Sequence, residues 1–282
     1  MVDSENYQED LDWLHVVKET LSWSDSSFVN NHCCIKRLYN SFEFKRTILE
    51  SGERVLLDAL KTIDNPNSRA QGFNCLISMR RVGERPIGQL ARARNILGDE
   101  TERYRAANKA GLHLFDESEL EAQIQHAFVH DATKCSLLIL FAELGCRVSD
   151  LGGLVTDDKL AAEKAEDNCF VIRARDVLVI RRKYKTRKIY GEKRDIIRGA
   201  RGKMLRRCLA SSVGGRLVRL NGGSACPSGQ MSSRIAEIVG TNATKLFKSW
   251  VNVYRKKGDL DGIRDLAFRR GTSLQTVLSY YA

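Results

Sequence analysis

The sequence holds little that would break or stretch a fold. Only 3 of its 282 residues are proline, and its 21 glycines are scattered. That excludes a collagen-like chain, a low-complexity linker and a long disordered tail. Its apolar runs stay short of the roughly 18 residues that span a bilayer, so no membrane partner is expected. The first residues are acidic and polar, unlike a secretory leader. Cysteines stand at 33, 34, 75, 135, 146, 169, 208 and 226, and none are spaced as C-x-x-C. No zinc site and no cofactor are expected from that spacing. His32-Cys33-Cys34 is the one metal-like cluster. Cys135 and Cys146 sit in apolar helical sequence and read as small core residues. Free thiols in this number fit a reducing compartment inside a cell, cytoplasm or nucleus. Aromatics are only 7% of the chain and form no stacking platform.

Charge is plentiful and unevenly placed. The chain carries net +11, yet residues 1–169 are net −8 and residues 170–282 net +19. A surface charged only for solubility would not divide in this way. A polyanion is the expected partner, and nucleic acid is the commonest one. An anionic membrane fits less well, because the basic stretches alternate like strands and form no amphipathic helix.

The patterning predicts a mainly α-helical protein with a small β-sheet, in three segments: residues 1–44, 45–107 and 108–282. The first is acidic, with Leu11, Leu14, Val17 and Leu21 near helical spacing. The second is basic and mostly helical, with an apolar stretch at Val55–Leu60 and a break at Asn65-Pro66-Asn67. Arg80, Arg81, Arg85, Arg92 and Arg94 punctuate it, as in a module that touches phosphates or a bundle with a charged surface. In the third, Asp116 is a plausible N-cap, with acids in the turn that follows. Residues 132–144 read as a buried helix that Gly145 ends. From Cys169 the period changes, and residues 170–172 and 177–180 read as strands. Residues 181–186 and 189–197 suggest a hairpin with a basic tip at Thr186-Arg187-Lys188. The remainder, from 243, reads as helices joined near Gly258 and Gly271.

Three pieces carry chemistry. Leu144-Gly145-Cys146-Arg147-Val148-Ser149-Asp150-Leu151 places an arginine just after a rigid helix. A guanidinium binds two nonbridging phosphate oxygens at once and stays charged at any working pH. Arg181 to Arg198 is very basic, with Arg181, Arg182, Lys183, Lys185, Arg187 and Lys188 close together, residues suited to anchoring phosphates. The end of the chain, from Gly271 to Ala282, holds Tyr280 and Tyr281. A tyrosine hydroxyl can attack phosphorus and hold the strand end as an ester, without metal or ATP. Each has a plainer role as well: Arg147 as a cation near a helix end, the basic hairpin as phosphate anchors, the tyrosine as packing for a terminal helix.

In their order these pieces resemble the tyrosine recombinases, the phage-type integrases. Phe115-Asp116-Glu117-Ser118-Glu119-Leu120 is similar to the family's T-x-E-E-L opening, and residues 140–151 to its TGLRISEL box. Tyr184-Lys185-Thr186-Arg187-Lys188 is similar to its K-T-G-K-x-R hairpin, and residues 271–280 to its closing tyrosine motif. The resemblance covers roughly residues 45–282. It implies a helical core-binding domain at 45–107, clamping DNA, and a DNA-breaking and rejoining domain at 108–282. It makes Arg147 the first catalytic arginine, Lys185 or Lys183 the proton donor to the leaving 5′-oxygen, and Tyr280 or Tyr281 the nucleophile. Double-stranded DNA and further copies of the chain are the implied partners, for site-specific recombination or integration by a mobile element.

The sequence departs from that family in its second box, H-x-x-R. Thr244-Lys245-Leu246-Phe247 stands there, and no histidine follows His130. Lys245, Lys248, Arg269 or Arg270 is left to supply the missing cation, and Arg269 is taken first. The departure also fits a recombinase-like protein that binds DNA without cutting it. A helical nucleic-acid-coating nucleoprotein is a third alternative.

Overall fold

The fold is that of a computed structural model. It describes residues 5–110, 113–184 and 186–280, with the backbone alone for residues 105–110 and Tyr280. The chain divides into two compact units, Met1–Leu112 and His113–Ala282.

Among its described residues the first unit has five helices: α1 (Glu5–Thr20), α2 (Asp25–Ser41), α3 (Glu53–Lys61), α4 (Pro66–Val82) and α5 (Gly88–Ala110). Ser24 caps α2 by accepting the Ser27 amide at 3.2 Å. Asn65 caps α4 by accepting the Ser68 amide at 3.1 Å, and Pro66 occupies the first helical position, where its missing N–H is no loss. Leu14, Leu38, Ile48, Leu60, Phe73, Leu76 and Leu90 share one core. The acidic first 44 residues thus pack into the same core as the basic segment after them. Arg80 is turned inward, 4% exposed, and donates to the carbonyls of Ser51 at 2.6 Å and Pro86 at 2.8 Å. Asp10 is also buried, accepting the Tyr39 hydroxyl at 2.5 Å and the Ile48 amide at 2.8 Å. Burial pushes its carboxyl up to about 6.

The second unit begins with α6 (Glu117–His130), opened by a capping box. Asp116 accepts the Glu119 amide at 2.9 Å, and Glu119 accepts the Asp116 amide at 2.7 Å. Next comes α7 (Ala132–Leu144), apolar all round and the central helix of this core. Gly145 ends it at φ +54°. A β-carbon there would stand 2.7 Å from the Phe247 ring, so both the turn and the packing require glycine.

A single 3-10 turn, Val148–Leu151, leads to a four-stranded sheet in the order β1 (Leu154–Thr156), β2 (Cys169–Ile172), β3 (Val177–Arg181), β4 (Lys193–Ile197). β1 and β2 are parallel and joined through α8 (Lys159–Lys164); β2, β3 and β4 are antiparallel neighbours. One face carries Val177 and Val179 into the main core. Leu178 and Ile180 on the other pack with Ala162 of α8. The hairpin differs from its sequence pattern. Ile189 is not in a strand, because residues 187–190 form a one-turn helix, α9 (Arg187–Tyr190), and Gly191 at φ +68° turns the chain back. The remaining helices are α10 (Gly199–Ala210), α11 (Met231–Val239), α12 (Ala243–Lys256), α13 (Leu260–Arg270) and α14 (Leu274–Tyr280). Among the described residues, no helix is long and apolar enough to cross a membrane.

Candidate functional site

The face of the sheet that enters the core changes character along its length. Val177, Val179 and Arg181 share it by the two-residue period of a strand. So do their cross-strand partners Ile197, Asp195 and Lys193. The apolar pair at one end thus gives way to a charged pair, Arg181 and Lys193, at the other. Arg181 is fully buried. Its Nη2 donates to Asp195 Oδ2 at 2.6 Å, and its Nη1 lies 3.6 Å from Asp150 Oδ2.

This charged end meets the C-terminus of α13. Gly271, at φ +71°, closes that helix in a Schellman turn: its amide bonds the Phe268 carbonyl at 2.9 Å, and the Thr272 amide bonds the Ala267 carbonyl at 3.0 Å. The carbonyls that follow have no partner within the helix. Side chains from elsewhere supply them. Arg181 Nη2 donates to the Arg269 carbonyl at 2.5 Å. Arg147 donates from Nη1 to the Arg270 carbonyl at 2.9 Å and from Nη2 to the Gly271 carbonyl at 3.3 Å. Thr186 Oγ1 donates to the Gly271 carbonyl at 2.7 Å. Lys193 Nζ adds a second donor to the Phe268 carbonyl, which the Gly271 amide already bonds. The negative end of a helix dipole favours such cations.

Arg147 is set in place from both sides. Gly145 releases the chain from α7, and Asp150 Oδ2 accepts the Arg147 amide at 2.9 Å. Arg270 returns the contact. Its guanidinium lies 3.8 Å from the centre of the Phe247 ring, and its Nη1 donates to the Gly145 carbonyl at 2.7 Å. Phe247 is the residue that stands where the second-box arginine would fall, so the guanidinium beside it comes from α13.

Of the residues expected from the sequence, Arg147 lies at this corner. Arg269 points away from it: Nη2 pairs with Asp265 at 2.8 Å and Nη1 reaches the Glu143 carbonyl at 3.3 Å. Lys185 and Tyr281 lie outside the described residues. Tyr280 is the last residue of α14, and its side chain also lies outside them. Arg181 and Arg182, expected to face a polyanion, are buried; Arg182 pairs with Glu192 at 2.7 Å. Arg187 and Lys188 are exposed on α9. Lys183 is exposed and pairs with Asp167 at 2.7 Å. Lys245 lies over the Phe115 ring at 4.2 Å.

Several groups here were not singled out from the sequence. Lys193 and Thr186 reach the α13 corner through tertiary contacts. Asp167 also pairs with Arg216 at 2.5 Å, and hydrogen bonds from Lys183 and Arg216 hold its carboxyl below its ordinary value. These three line a cavity of about 610 Å³ together with Val148, Ser149 and Met231. At the corner itself, Arg147, Arg181, Lys193 and Arg270 meet two carboxylates, Asp150 and Asp195. Burial first, and then Arg181, bring the Lys193 ammonium down to about 8. These mostly buried cations outnumber their carboxylates, which makes the corner a region of positive potential.

No protein-family model matches the chain, and no curated protein does. Solved structures do. A lambda integrase dimer bound to a COC′ core site matches with a TM-score of 0.58 and 14% identity, over 96% of this chain and 94% of that one. A second such dimer matches at 0.52 and 14%, over 96% and 76%. A lambda integrase tetramer bound to a Holliday junction matches at 0.55 and 14%, over 93% and 74%. The two helical and α/β units, in this order and with this sheet, therefore make the architecture plain: the chain has the tyrosine recombinase fold.

Proposed function

We propose that the protein binds double-stranded DNA and breaks and rejoins it through a phosphotyrosine, as a tyrosine-type recombinase. One observation carries this above all. Arg147 and three residues of the β3–β4 hairpin, Arg181, Thr186 and Lys193, converge on residues 268–271, and α14, which begins at Leu274, ends at Tyr280. A backbone phosphate held at that corner gains the cationic groups that its transition state needs. The Tyr280 oxygen attacks phosphorus, the bond to the 5′-oxygen breaks, and a proton passes to that oxygen from Lys185 or Lys183. The strand end is then held on the tyrosine, and the same steps reversed reseal DNA with no net change in bond energy. Arg147 exchanges its two helix carbonyls for two phosphate oxygens. Arg270, stacked on Phe247, is better placed than Arg269 to act as the second cation. Exposed Arg187 and Lys188, with Lys183, contact flanking phosphates. Residues 45–107 clamp the duplex. The integrases of similar fold were seen on DNA as dimers and a tetramer, which supports self-association on DNA.

A second reading has its own support. Phe247 is buried where the second-box arginine would stand, which fits a DNA-binding protein without strand cleavage. Nicked suicide duplexes, randomised about the nick, separate the two. The enzyme forms a detergent-resistant protein–DNA adduct, and Tyr280→Phe abolishes it. If the adduct persists in that variant but is lost in Tyr281→Phe, the nucleophile moves by one residue. Tight duplex binding with no adduct selects the binding protein.

A further inference from the structure

We propose that Lys193 is a positioning residue which makes phosphate binding at the α13 corner depend on pH, an inference that rests on the phosphodiester site proposed above. Lys193 opens β4 opposite Arg181 and is 7% exposed. Its ammonium lies 5.0 Å from the centre of the Tyr190 ring and 4.5 Å from that of Phe268, and it donates to the Phe268 carbonyl. It stands 3.7 Å from where a β-carbon on Gly271 would be, and Gly271 is the residue whose carbonyl Arg147 holds. Lys193 and Arg147 therefore grip successive parts of one corner.

A lysine is an expensive choice for such a place. A methionine would fill the volume between two rings without removing a charge from water. What the ammonium adds is positive charge beside the α13 end. The charged groups facing it come from three directions: Arg181 on β3, Asp195 further along β4, and Arg147 and Asp150 at the 3-10 turn. Tyr190 of α9 covers it. Glu192 and Arg194, its neighbours in sequence, pair with each other at 2.6 Å. Burial and the two arginines set its loss of charge near pH 8. The neutral amine still donates to Phe268, so the corner keeps its shape and loses one unit of charge. Anion affinity falls as pH rises through that value.

Folding stability moves the other way. The folded-state value, about 8, lies below the ordinary 10.5 of lysine. Between the two the unfolded chain binds more protons, so stability rises with pH through this window. A purely structural lysine would show only this second effect.

The experiment measures affinity of the full-length protein for a random-sequence duplex at fixed ionic strength, from about pH 6.5 to about pH 9.5. Wild type is expected to weaken by about three- to tenfold across the step. Lys193→Arg, charged throughout, loses the step and keeps tight binding. Lys193→Met binds weakly at every pH, with thermal melting at each pH verifying its fold. A wild-type affinity that does not change through pH 8, or the same step surviving in Lys193→Arg, overturns the role of Lys193 and leaves the phosphodiester site standing. Wild type that binds no duplex at any pH removes the site itself, and the inference with it.

Discussion

Arg147 bonds the main chain of Arg270, and Arg270 bonds the main chain just ahead of Arg147. Arg147 Nη1 donates to the Arg270 carbonyl at 2.9 Å, and Arg270 Nη1 donates to the Gly145 carbonyl at 2.7 Å. The clasp ties the end of the central helix α7 to the end of α13, just ahead of α14. It also means that the candidate phosphate-binding fork is already engaged, so a phosphate must compete with backbone carbonyls.

Loss of the buried half of this clasp should be felt in stability. Arg270→Met strands the Gly145 and Cys146 carbonyls and removes the stack on Phe247. It is expected to destabilise the second unit by about 1–3 kcal/mol. Arg269→Met, losing a half-exposed pair with Asp265 and a long bond to the Glu143 carbonyl, is expected to cost less, about 1 kcal/mol. Urea unfolding of the two variants checks the order.

The left-handed turn at Gly145 admits only glycine without strain. Gly145→Ala places a methyl group at φ +54° and against the Phe247 ring. It is expected to destabilise the fold by at least about 1 kcal/mol. It should also loosen Arg147, seen as faster hydrogen exchange at residues 146–150.

The basic hairpin divides into structural and exposed cations. Arg181→Met removes the cation that pairs with buried Asp150 and half-buried Asp195 and is expected to cost about 3–5 kcal/mol. Lys188→Ala leaves stability unchanged and lowers the log–log slope of DNA affinity against salt by about 1. Paired melting and salt titrations distinguish the two classes.

In the first unit, Asp10 is a buried carboxyl with its pKa raised to about 6 from 3.8. The folded state holds this proton more tightly than the unfolded one. Its contribution to stability is therefore full below pH about 3.8 and is lost as pH rises through about 6. Asp10→Asn should flatten that slope, measured as hydrogen exchange of the α2 amides across the range.

Much of the architecture was legible because it rests on local rules. The cap at Asp116, the all-apolar helix ended by Gly145, and the β-branched runs of β2 and β3 all declare themselves within a few residues. The hairpin tip was less so. Residues 187–190 carry no turn signal that distinguishes a bend from one turn of helix, and the Arg181–Lys193 register that fixes the loop is a cross-strand fact. Burial of Arg181 and Arg182 was invisible for the same reason. Their partners Asp150, Asp195 and Glu192 sit on other segments, so a run of arginines read as solvent-facing. Arg269 and Arg270 look equivalent in sequence. About 100° of helical rotation separates them, and it aims one at Asp265 and the other at Phe247. Lys193 left no sequence mark at all: only the fold shows two rings and a helix end closing on it.

Strand cleavage as proposed requires Arg147 to transfer its guanidinium from the α13 carbonyls to a scissile phosphate. Adduct yield on nicked suicide duplexes, compared between wild type and Arg147→Ala at matched DNA occupancy, tests this directly. The prediction is that Arg147→Ala still binds DNA but forms adduct slower by at least about 100-fold. Adduct formed at the wild-type rate without that side chain would contradict it and leave Arg147 as a helix cap alone.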